Sequence, residues 1–301
     1  MGYLLSKNRM VIVRITWGLW NQMFQYAYIK ALSLKNNSNF RLDIETFEHY
    51  KLHKYCLEFF NIQRKYCKIS EVPFYKKFNS NNKYLEYLLV KIKCLAKKFN
   101  KNHYIEKQFN FDADFLNIKQ GYVEGYFQTE KYFIEYEDDI RKDFTFAISP
   151  SPENEKIIEK INSCNAISIH IRRWDYISND TTNRVHGTCD LNYYKQAIGL
   201  IKEKIDNPIF FFFSDDINWA KEHLKVSEKS YYIDRNNANT NYEDMRLMSL
   251  CKHNIIANSS FSWWWAWLNS NPKKIVIAPS KWFNDNSRST SDIIPSTWKK
   301  I

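Results

Sequence analysis

The stretch AISIHIRRWDY, residues 166–176, starts as a run of apolar and small residues and ends in two arginines and a carboxylate. Its first six residues predict a buried strand, because isoleucine recurs at every second position. Alternate residues of a strand face opposite sides, so the other face carries Ser168, His170 and Arg172. Arg173 follows where the chain leaves the strand. Two guanidinium groups are therefore expected to crowd the carboxyl end of this strand.

The carboxyl-terminal half continues as strands that alternate with helices. More strand patterns follow the first, at residues 208–213, 230–235, 253–257 and 274–279. Helical patterns separate them, at residues 191–205, 216–224, 242–252 and 261–269. This alternation predicts an α/β domain whose sheet is parallel and covered on both faces. Ligands of such sheets bind outside the carboxyl ends of the strands, which is where the arginine pair lies.

The amino-terminal half begins with the same kind of unit. MVIVRI (10–15) is typical of a strand, residues 21–37 carry apolar side chains at helical spacing, and NFRLDI (39–44) is typical of the next strand. Residues 121–133 alternate like a strand and then become helical. The amino-terminal half is therefore also predicted to contain a βαβ step.

A polar, proline-containing stretch at 149–156 is the predicted junction between two domains, residues 1–150 and 151–301. A chain of 301 residues commonly divides into two domains of this size. Residues 83–99 form an amphipathic basic pattern, which is compatible with a helix lying on a membrane surface or with a solvated helix packed by one face.

The formal net charge of +11 permits an anionic partner such as a nucleotide, a nucleic acid or a membrane surface. No RNA-binding or helix-turn-helix motif accompanies the charge, so no nucleic-acid partner is expected. The six cysteines include no C-x-x-C pair, which favours a reduced cytoplasmic protein without a metal site. The sequence has no apolar run of the length of an export signal or a spanning helix. The protein is therefore predicted to be cytoplasmic, with peripheral contact with an anionic inner membrane as an alternative.

Two adjacent arginines repel each other unless an anion or acidic side chains lie between them. Arginine is suited to binding phosphate through two nitrogens, so Arg172 and Arg173 favour a diphosphate ligand. The alternative is a pair of salt bridges to Asp175 and neighbouring carboxylates.

Two other strand ends carry polar side chains. After the strand at 208–213, Asp215 could accept hydrogen bonds from a nucleotide base or ribose, or a residue of this segment could cap the next helix. After the strand at 253–257, hydroxyls and free N–H groups at a helix start could hold phosphate. The candidate residues there are Asn258, Ser259, Ser260 and Ser262. Capping alone would require only one of these four.

Four motifs, HIRRWDY, FSDD, NSSFSWWWAW and RITWGLWNQMFQYA, occur together and span nearly the whole chain. With them the sequence resembles the bacterial α-1,2-fucosyltransferases of glycosyltransferase family 11. The resemblance implies an α/β, GT-B-like fold of two Rossmann-type domains with parallel sheets. The amino-terminal half would face the acceptor glycan and the carboxyl-terminal half would hold GDP-fucose. L-Fucose would be transferred with inversion to a 2-hydroxyl, typically of galactose, without a metal or cofactor.

The resemblance also implies roles for individual residues. At least one of Arg172 and Arg173 would stabilise the β-phosphate as GDP leaves, as a metal does in other transferases. His170 and Asp175 match the remaining fixed positions of the charged motif and would orient the arginines or line the sugar site. Asn21 and Gln22 match an amide pair near the meeting point of donor and acceptor.

The base that would accept the acceptor's hydroxyl proton is not identified by the sequence. Asp175, His186 and Asp190 are candidates, and a mechanism without a base is also open. A lipid-linked O-antigen repeat, a capsule intermediate and a free oligosaccharide are all compatible acceptors. Nothing in the sequence fixes the number of subunits.

Four positions depart from the family's pattern, because tryptophan stands where the family has glycine. They are Trp17, Trp20, Trp174 and Trp265. Only 6 of 301 residues are glycine, against a usual share of about 7%. We hypothesise a translation artefact, since UGA and the glycine codon GGA differ by one base and some bacterial lineages read UGA as glycine. The alternative is a non-catalytic nucleotide- or glycan-binding protein whose site is blocked by real tryptophans at 17, 20 and 174.

Overall fold

The computed structural model describes residues 9–49, 53–73, 102–173, 187–236, 240–285 and 289–301. The chain divides into two compact units, residues 1–145 and 146–301. The predicted amphipathic helix at 83–99 lies outside the described residues. No helix of the described residues is long and apolar enough to span a bilayer. The five cysteines within the described ranges carry free thiols.

Unit 1 contains a parallel sheet of four strands in the order β2-β1-β4-β3. Its strands are β1 (Met10–Arg14), β2 (Asn39–Asp43), β3 (His103–Ile105) and β4 (Gly121–Glu124). The α-helices among its described residues are α1 (Leu19–Asn36), α2 (Thr46–His49) and α3 (Glu137–Asp143). Helix α1 ends at Asn37, whose left-handed backbone (φ 46°) is typical of a helix C-cap. The predicted βαβ step is confirmed, because α1 connects the paired strands β1 and β2.

Unit 2 contains a parallel sheet of six strands. They are β5 (Asn165–Ile171), β6 (Pro208–Ser214), β7 (Ser230–Ile233), β8 (His253–Ile255), β9 (Val276–Ala278) and β10 (Lys299–Lys300). Their order is β10-β9-β8-β5-β6-β7, which is the 3-2-1-4-5-6 order of a doubly wound Rossmann sheet. The order reverses between β5 and β8, so their carboxyl ends flank the position where such sheets bind ligands.

Five helices of the described residues accompany this sheet. They are α4 (Pro152–Asn162), α5 (Leu191–Lys202), α6 (Ile217–His223), α7 (Asn241–Leu250) and α8 (Ser260–Leu268). The isoleucines at 167, 169 and 171 pack with α5 in one buried cluster, as the alternation along β5 predicts. His170, on the opposite face of β5, contacts Phe261 of α8. The predicted parallel sheet with helices on both faces is confirmed.

Four labelled elements of the described chain are absent from the sequence-based prediction. They are α2, β3, α4 and β10. The polar stretch at 149–156, the predicted domain junction, follows the boundary between the two units and leads into α4. Ser151 caps that helix by accepting a hydrogen bond from the N–H of Asn154, and Pro152 occupies its first turn, where a missing N–H costs nothing.

Candidate functional site

The carboxyl ends of β5, β6 and β8 meet at one edge of the sheet of unit 2. In the β5–β6 pair Ile171 lies opposite Ser214, and in the β5–β8 pair Ile169 lies opposite Ile255. The structure therefore brings the arginine pair, the Asp215–Asp216 pair and the start of α8 to the same edge. This is the position at which a doubly wound sheet binds its ligand.

Asp215 holds both arginines at this edge. Its Oδ2 lies 3.3 Å from Nη1 of Arg172, and its Oδ1 accepts a 2.9 Å hydrogen bond from the backbone N–H of Arg173. Asp215 was predicted to contact a nucleotide base or ribose. In this structure its carboxylate is used to fix the arginine segment, and its contact with a nucleotide stays a prediction.

The side chain of Arg173 contacts two residues of the segment after β6. Its guanidinium carbon lies 3.9 Å from the centroid of the Trp219 ring. Its Nε lies 3.6 Å from Oδ2 of Asp216. Both arginines therefore face carboxylates, those of Asp215 and Asp216, as the salt-bridge alternative predicted for neighbouring carboxylates. Asp175, which that alternative also named, lies outside the described residues. Among the described residues, two arginines thus face two aspartates at this edge.

His170 is buried next to the arginine pair, with 4% of its surface exposed. Its ring lies 5.0 Å from that of Phe261, and its Nδ1 has no hydrogen-bond partner within the described residues. Burial, together with the charge of Arg172, lowers the pKa of His170 to about 3. His170 is therefore neutral near pH 7, and it would orient the arginine or line the site as an uncharged ring.

Three of the four polar residues before and in the first turn of α8 make hydrogen bonds inside unit 2. Asn258 donates to the carbonyl oxygens of Gly187 and Trp282, at 3.1 and 3.2 Å. The hydroxyl of Ser259 caps α8, and that of Ser262 donates to backbone carbonyls. The hydroxyls of Ser259 and Ser262 thus have partners within the protein, and the predicted phosphate contacts of Asn258, Ser259, Ser260 and Ser262 stay predictions.

The predicted amide pair lies in unit 1, at the start of α1. Gln22 is buried and donates from Nε2 to the carbonyl oxygens of Trp17 and Lys54, at 2.7 and 2.8 Å. Asn21 accepts a 2.6 Å hydrogen bond from Gln128. Gln22 therefore braces the turn between β1 and α1, and a role of either amide in ligand binding stays a prediction.

The tryptophans at family glycine positions differ in how well the structure accommodates them. Trp17 has a φ of +68°, a left-handed backbone that is a genuine outlier for a bulky residue. Trp20 lies in the first turn of α1, where no left-handed backbone is needed. Trp265 is 1% exposed, and its indole Nε1 has no hydrogen-bond partner within the described residues. The structure thus indicates a physical conflict at 17 and at 265.

A cavity of about 290 Å³ opens beside the first turns of α5. Asp190, Asn258 and Lys281 are among its lining residues, whereas neither Arg172 nor Arg173 lines it. Asp190 caps α5 by accepting a 2.7 Å hydrogen bond from the N–H of Tyr193. One oxygen of this base candidate is therefore engaged by the helix.

Three of the singled-out residues, Trp174, Asp175 and His186, lie outside the described residues. Sequence reasoning missed Trp219 and Phe261, which pack against Arg173 and His170. Trp219 lies in the first turn of the helix after β6, next to the strand end that carries Arg173. An aromatic residue in the first turn of a helix that follows a strand next to the arginine pair is the signal that could have identified Trp219.

Comparisons with known proteins agree on the class of the chain. The sequence profile described as Glycosyl transferase family 11 matches residues 2–301. An Escherichia coli alpha-1,2-colitosyltransferase is 36% identical over 97% of this chain and 98% of its own length. The O-antigen biosynthesis glycosyltransferase WbnK of Escherichia coli is 34% identical over 91% of this chain and 95% of its own length.

A solved structure supports the fold. A mutant of Arabidopsis thaliana FUT1 in complex with GDP matches with a TM-score of 0.53 and 11% identity, over 91% of this chain and 72% of that one. The predicted α/β, GT-B-like class with two parallel sheets is thereby confirmed. Since the family profile covers the chain from residue 2 to residue 301, the chain belongs to glycosyltransferase family 11.

Proposed function

We propose that this chain transfers L-fucose, or a closely related deoxysugar, from its GDP derivative to a 2-hydroxyl of an acceptor glycan, with galactose as the expected residue. The observation that carries the proposal is the arginine pair at the switch point of the unit 2 sheet, in a chain that matches family 11 throughout. An α-1,2-colitosyltransferase at 36% identity favours GDP-colitose as a second candidate donor.

Arg172 and Arg173 would bind the diphosphate of the donor. As the bond to the sugar breaks, negative charge grows on the β-phosphate, and nearby guanidinium groups stabilise that charge more than they stabilise the bound donor. The acceptor hydroxyl would attack the anomeric carbon from the opposite face, which inverts the configuration. No metal is needed in this scheme, because the two arginines supply the positive charge.

The ion pairs with Asp215 and Asp216 set a condition for donor binding. A diphosphate that binds the arginines has to compete with these carboxylates. The nitrogen–oxygen distance is 3.3 Å in the Arg172–Asp215 pair and 3.6 Å in the Arg173–Asp216 pair. The side chains of both pairs are partly exposed, so neither is a tight, fully buried ion pair. The carboxylates can thus hold the arginines at rest without preventing exchange.

Incubation of the purified chain with GDP-fucose or GDP-colitose, each with a β-galactoside, tests the proposal. We expect release of GDP and a product whose new linkage at the 2-hydroxyl is identified by NMR, with EDTA leaving the rate unchanged. Arg172→Ala and Arg173→Ala should each lower kcat by about a hundredfold or more. GDP binding without transfer to any acceptor would favour the non-catalytic alternative, and no binding of GDP or of either donor would contradict the proposal.

A further inference from the structure

Arg173, Asp216 and Trp219 form an interlocked group at the carboxyl edge of the unit 2 sheet. The guanidinium of Arg173 lies over the indole of Trp219, 3.9 Å from the ring centroid. Asp216 contacts both neighbours, since its Oδ1 accepts the N–H of Trp219 at 3.2 Å and its Oδ2 lies 3.6 Å from Nε of Arg173. One carboxylate thus contacts both the backbone of Trp219 and the guanidinium of Arg173.

We infer that Trp219 is a positioning residue for Arg173, holding its guanidinium plane so that the N–H groups at its edge remain available to the diphosphate of the donor. The inference rests on the proposed function, because it takes that diphosphate to be the anion bound by Arg173. Trp219 itself makes no contact with the reacting atoms in this scheme.

The contact between the cation and the ring is suited to this task in a way that a carboxylate is not. The five N–H donors of a guanidinium point outward in its own plane, whereas an aromatic ring attracts the face of that plane. A ring therefore orients the arginine without using any donor. The carboxylate of Asp216 lies beyond normal hydrogen-bond length from Nε, so it restrains the side chain only weakly.

Trp219 is itself held firmly enough to serve as a platform. Its indole packs against the buried cluster that contains the isoleucines of β5. The ring of His223, one turn later in α6, stacks on it with centroids 4.8 Å apart and planes inclined by 13°. The indole is thus anchored to the sheet core and to its own helix.

The first test compares Trp219→Leu, Trp219→Phe and wild type for GDP binding by calorimetry. Trp219→Leu should weaken GDP binding by between about twofold and thirtyfold, the range that cation–π contacts span, and Trp219→Phe should retain part of the affinity. Tyr231→Leu is the matched control, because Tyr231 of β7 is also a partly buried ring that faces a lysine, Lys160, 4.9 Å from its centroid. The control should bind GDP like wild type.

A double-mutant cycle separates positioning from a general loss of structure. If Trp219 acts through Arg173, then adding Trp219→Leu to Arg173→Ala should weaken GDP binding no further than Arg173→Ala alone. Additive losses would overturn the inference, because Trp219 would then act independently of the arginine. Equal GDP affinity of Trp219→Leu and wild type would overturn it as well.

The failure of this inference is distinguishable from the failure of the proposed function. If wild type does not bind GDP at all, the proposed function fails and the inference falls with it. If wild type binds GDP and transfers the sugar while the cycle is additive, only the role of Trp219 is overturned. Thermal melts of each variant identify any that do not fold. If Trp219→Leu does not fold, the double-mutant cycle is measured with Trp219→Phe instead.

Discussion

Trp263 and Trp265 lie two residues apart in α8, both fully buried, and the indole nitrogen of Trp263 alone has an acceptor among the described residues. Nε1 of Trp263 donates to the carbonyl oxygen of Ile293 at 2.7 Å, whereas Nε1 of Trp265 has no partner there. A buried N–H without an acceptor costs about 1–3 kcal/mol. The two positions therefore form a matched pair for testing whether each indole N–H contributes to stability.

Trp263→Phe and Trp265→Phe remove similar ring area, so their difference isolates the N–H group. We expect Trp263→Phe to be the less stable variant by about 1 kcal/mol or more, because it strands the carbonyl of Ile293 while Trp265→Phe removes an unpaired donor. Urea unfolding of both variants measures the difference in free energy. Equal stability would mean that the nitrogen of Trp265 is satisfied in solution.

The left-handed backbone at position 17 gives a second comparison. Trp17→Gly and Trp17→Ala both remove the indole, but only glycine adopts a φ of +68° without strain. We expect Trp17→Gly to be more stable than Trp17→Ala by about 1 kcal/mol. At an ordinary φ the order would be reversed, since alanine restricts the unfolded chain. A more stable alanine variant in urea unfolding would therefore contradict the left-handed assignment.

The hypothesis of misread glycines makes a direct prediction about the gene. The codons at 17, 20, 174 and 265 should be UGA, while a tryptophan that fits the fold, such as Trp263, should be encoded by UGG. Peptide masses of the protein isolated from its own organism should show glycine at the four positions. UGG codons at those positions would dismiss the hypothesis and favour the blocked, non-catalytic alternative.

His170 predicts a loss of stability in acid. Its pKa is lowered from 6.5 to about 3 in the folded protein, so the unfolded chain binds a proton first as pH falls. The stability contributed by the neutral ring is complete above pH 6.5 and is lost at up to about 1.4 kcal/mol per pH unit below it. As pH falls from 7.5 to 5, wild type should therefore lose more stability than His170→Phe, which has no imidazole to protonate. Urea unfolding of both proteins at several pH values measures this difference. An unchanged difference would mean that the imidazole binds its proton as readily in the folded protein as in the unfolded chain.

The Glu106 carboxyl should change folding stability with pH in the opposite direction, lowering it as pH rises. Burial raises the pKa of its carboxyl to about 7, although the carboxylate accepts hydrogen bonds from the N–H groups of Tyr126 and Phe127, at 2.7 and 2.8 Å. A raised acid pKa favours the folded state below pH 4.5, and that contribution is lost as pH rises to about 7. Glu106→Gln should therefore gain stability relative to wild type over this interval, by up to about 3 kcal/mol. Urea unfolding at pH 4.5 and 7.5 measures the change, and parallel profiles would refute it.

The sheet of unit 2 was predictable from sequence because two of its strands, β5 and β6, are longer than the rest and carry repeated apolar residues. In β5 and β6 burial on both faces enforces the pattern. Strand β10 consists of Lys299 and Lys300, which are exposed and carry no apolar signal. Helix α4 carries three isoleucines among eleven mainly charged and polar residues, so its apolar pattern is weak and its clearest signal is the cap at Ser151.

The candidate site was predictable only in part. The residue types at the strand ends pointed to the correct edge of the sheet, because parallel strands bring all their carboxyl ends together. Pairings across that edge depend on side-chain rotamers. The sequence could not show that Arg173 would lie over Trp219. Nor could it show that the side-chain amide of Asn258 would donate hydrogen bonds to the carbonyl oxygens of Gly187 and Trp282.

The two aspartates that face the arginine pair have a further consequence for competition among anions in the cell. A cationic edge without counterions would attract chloride and other small monovalent anions. Here such an anion would have to displace a carboxylate and gain little, since it can satisfy only one guanidinium. A diphosphate offers enough charge and oxygen atoms to replace both aspartates in one event. The carboxylates would thus make the arginine pair selective for multivalent anions over monovalent ones.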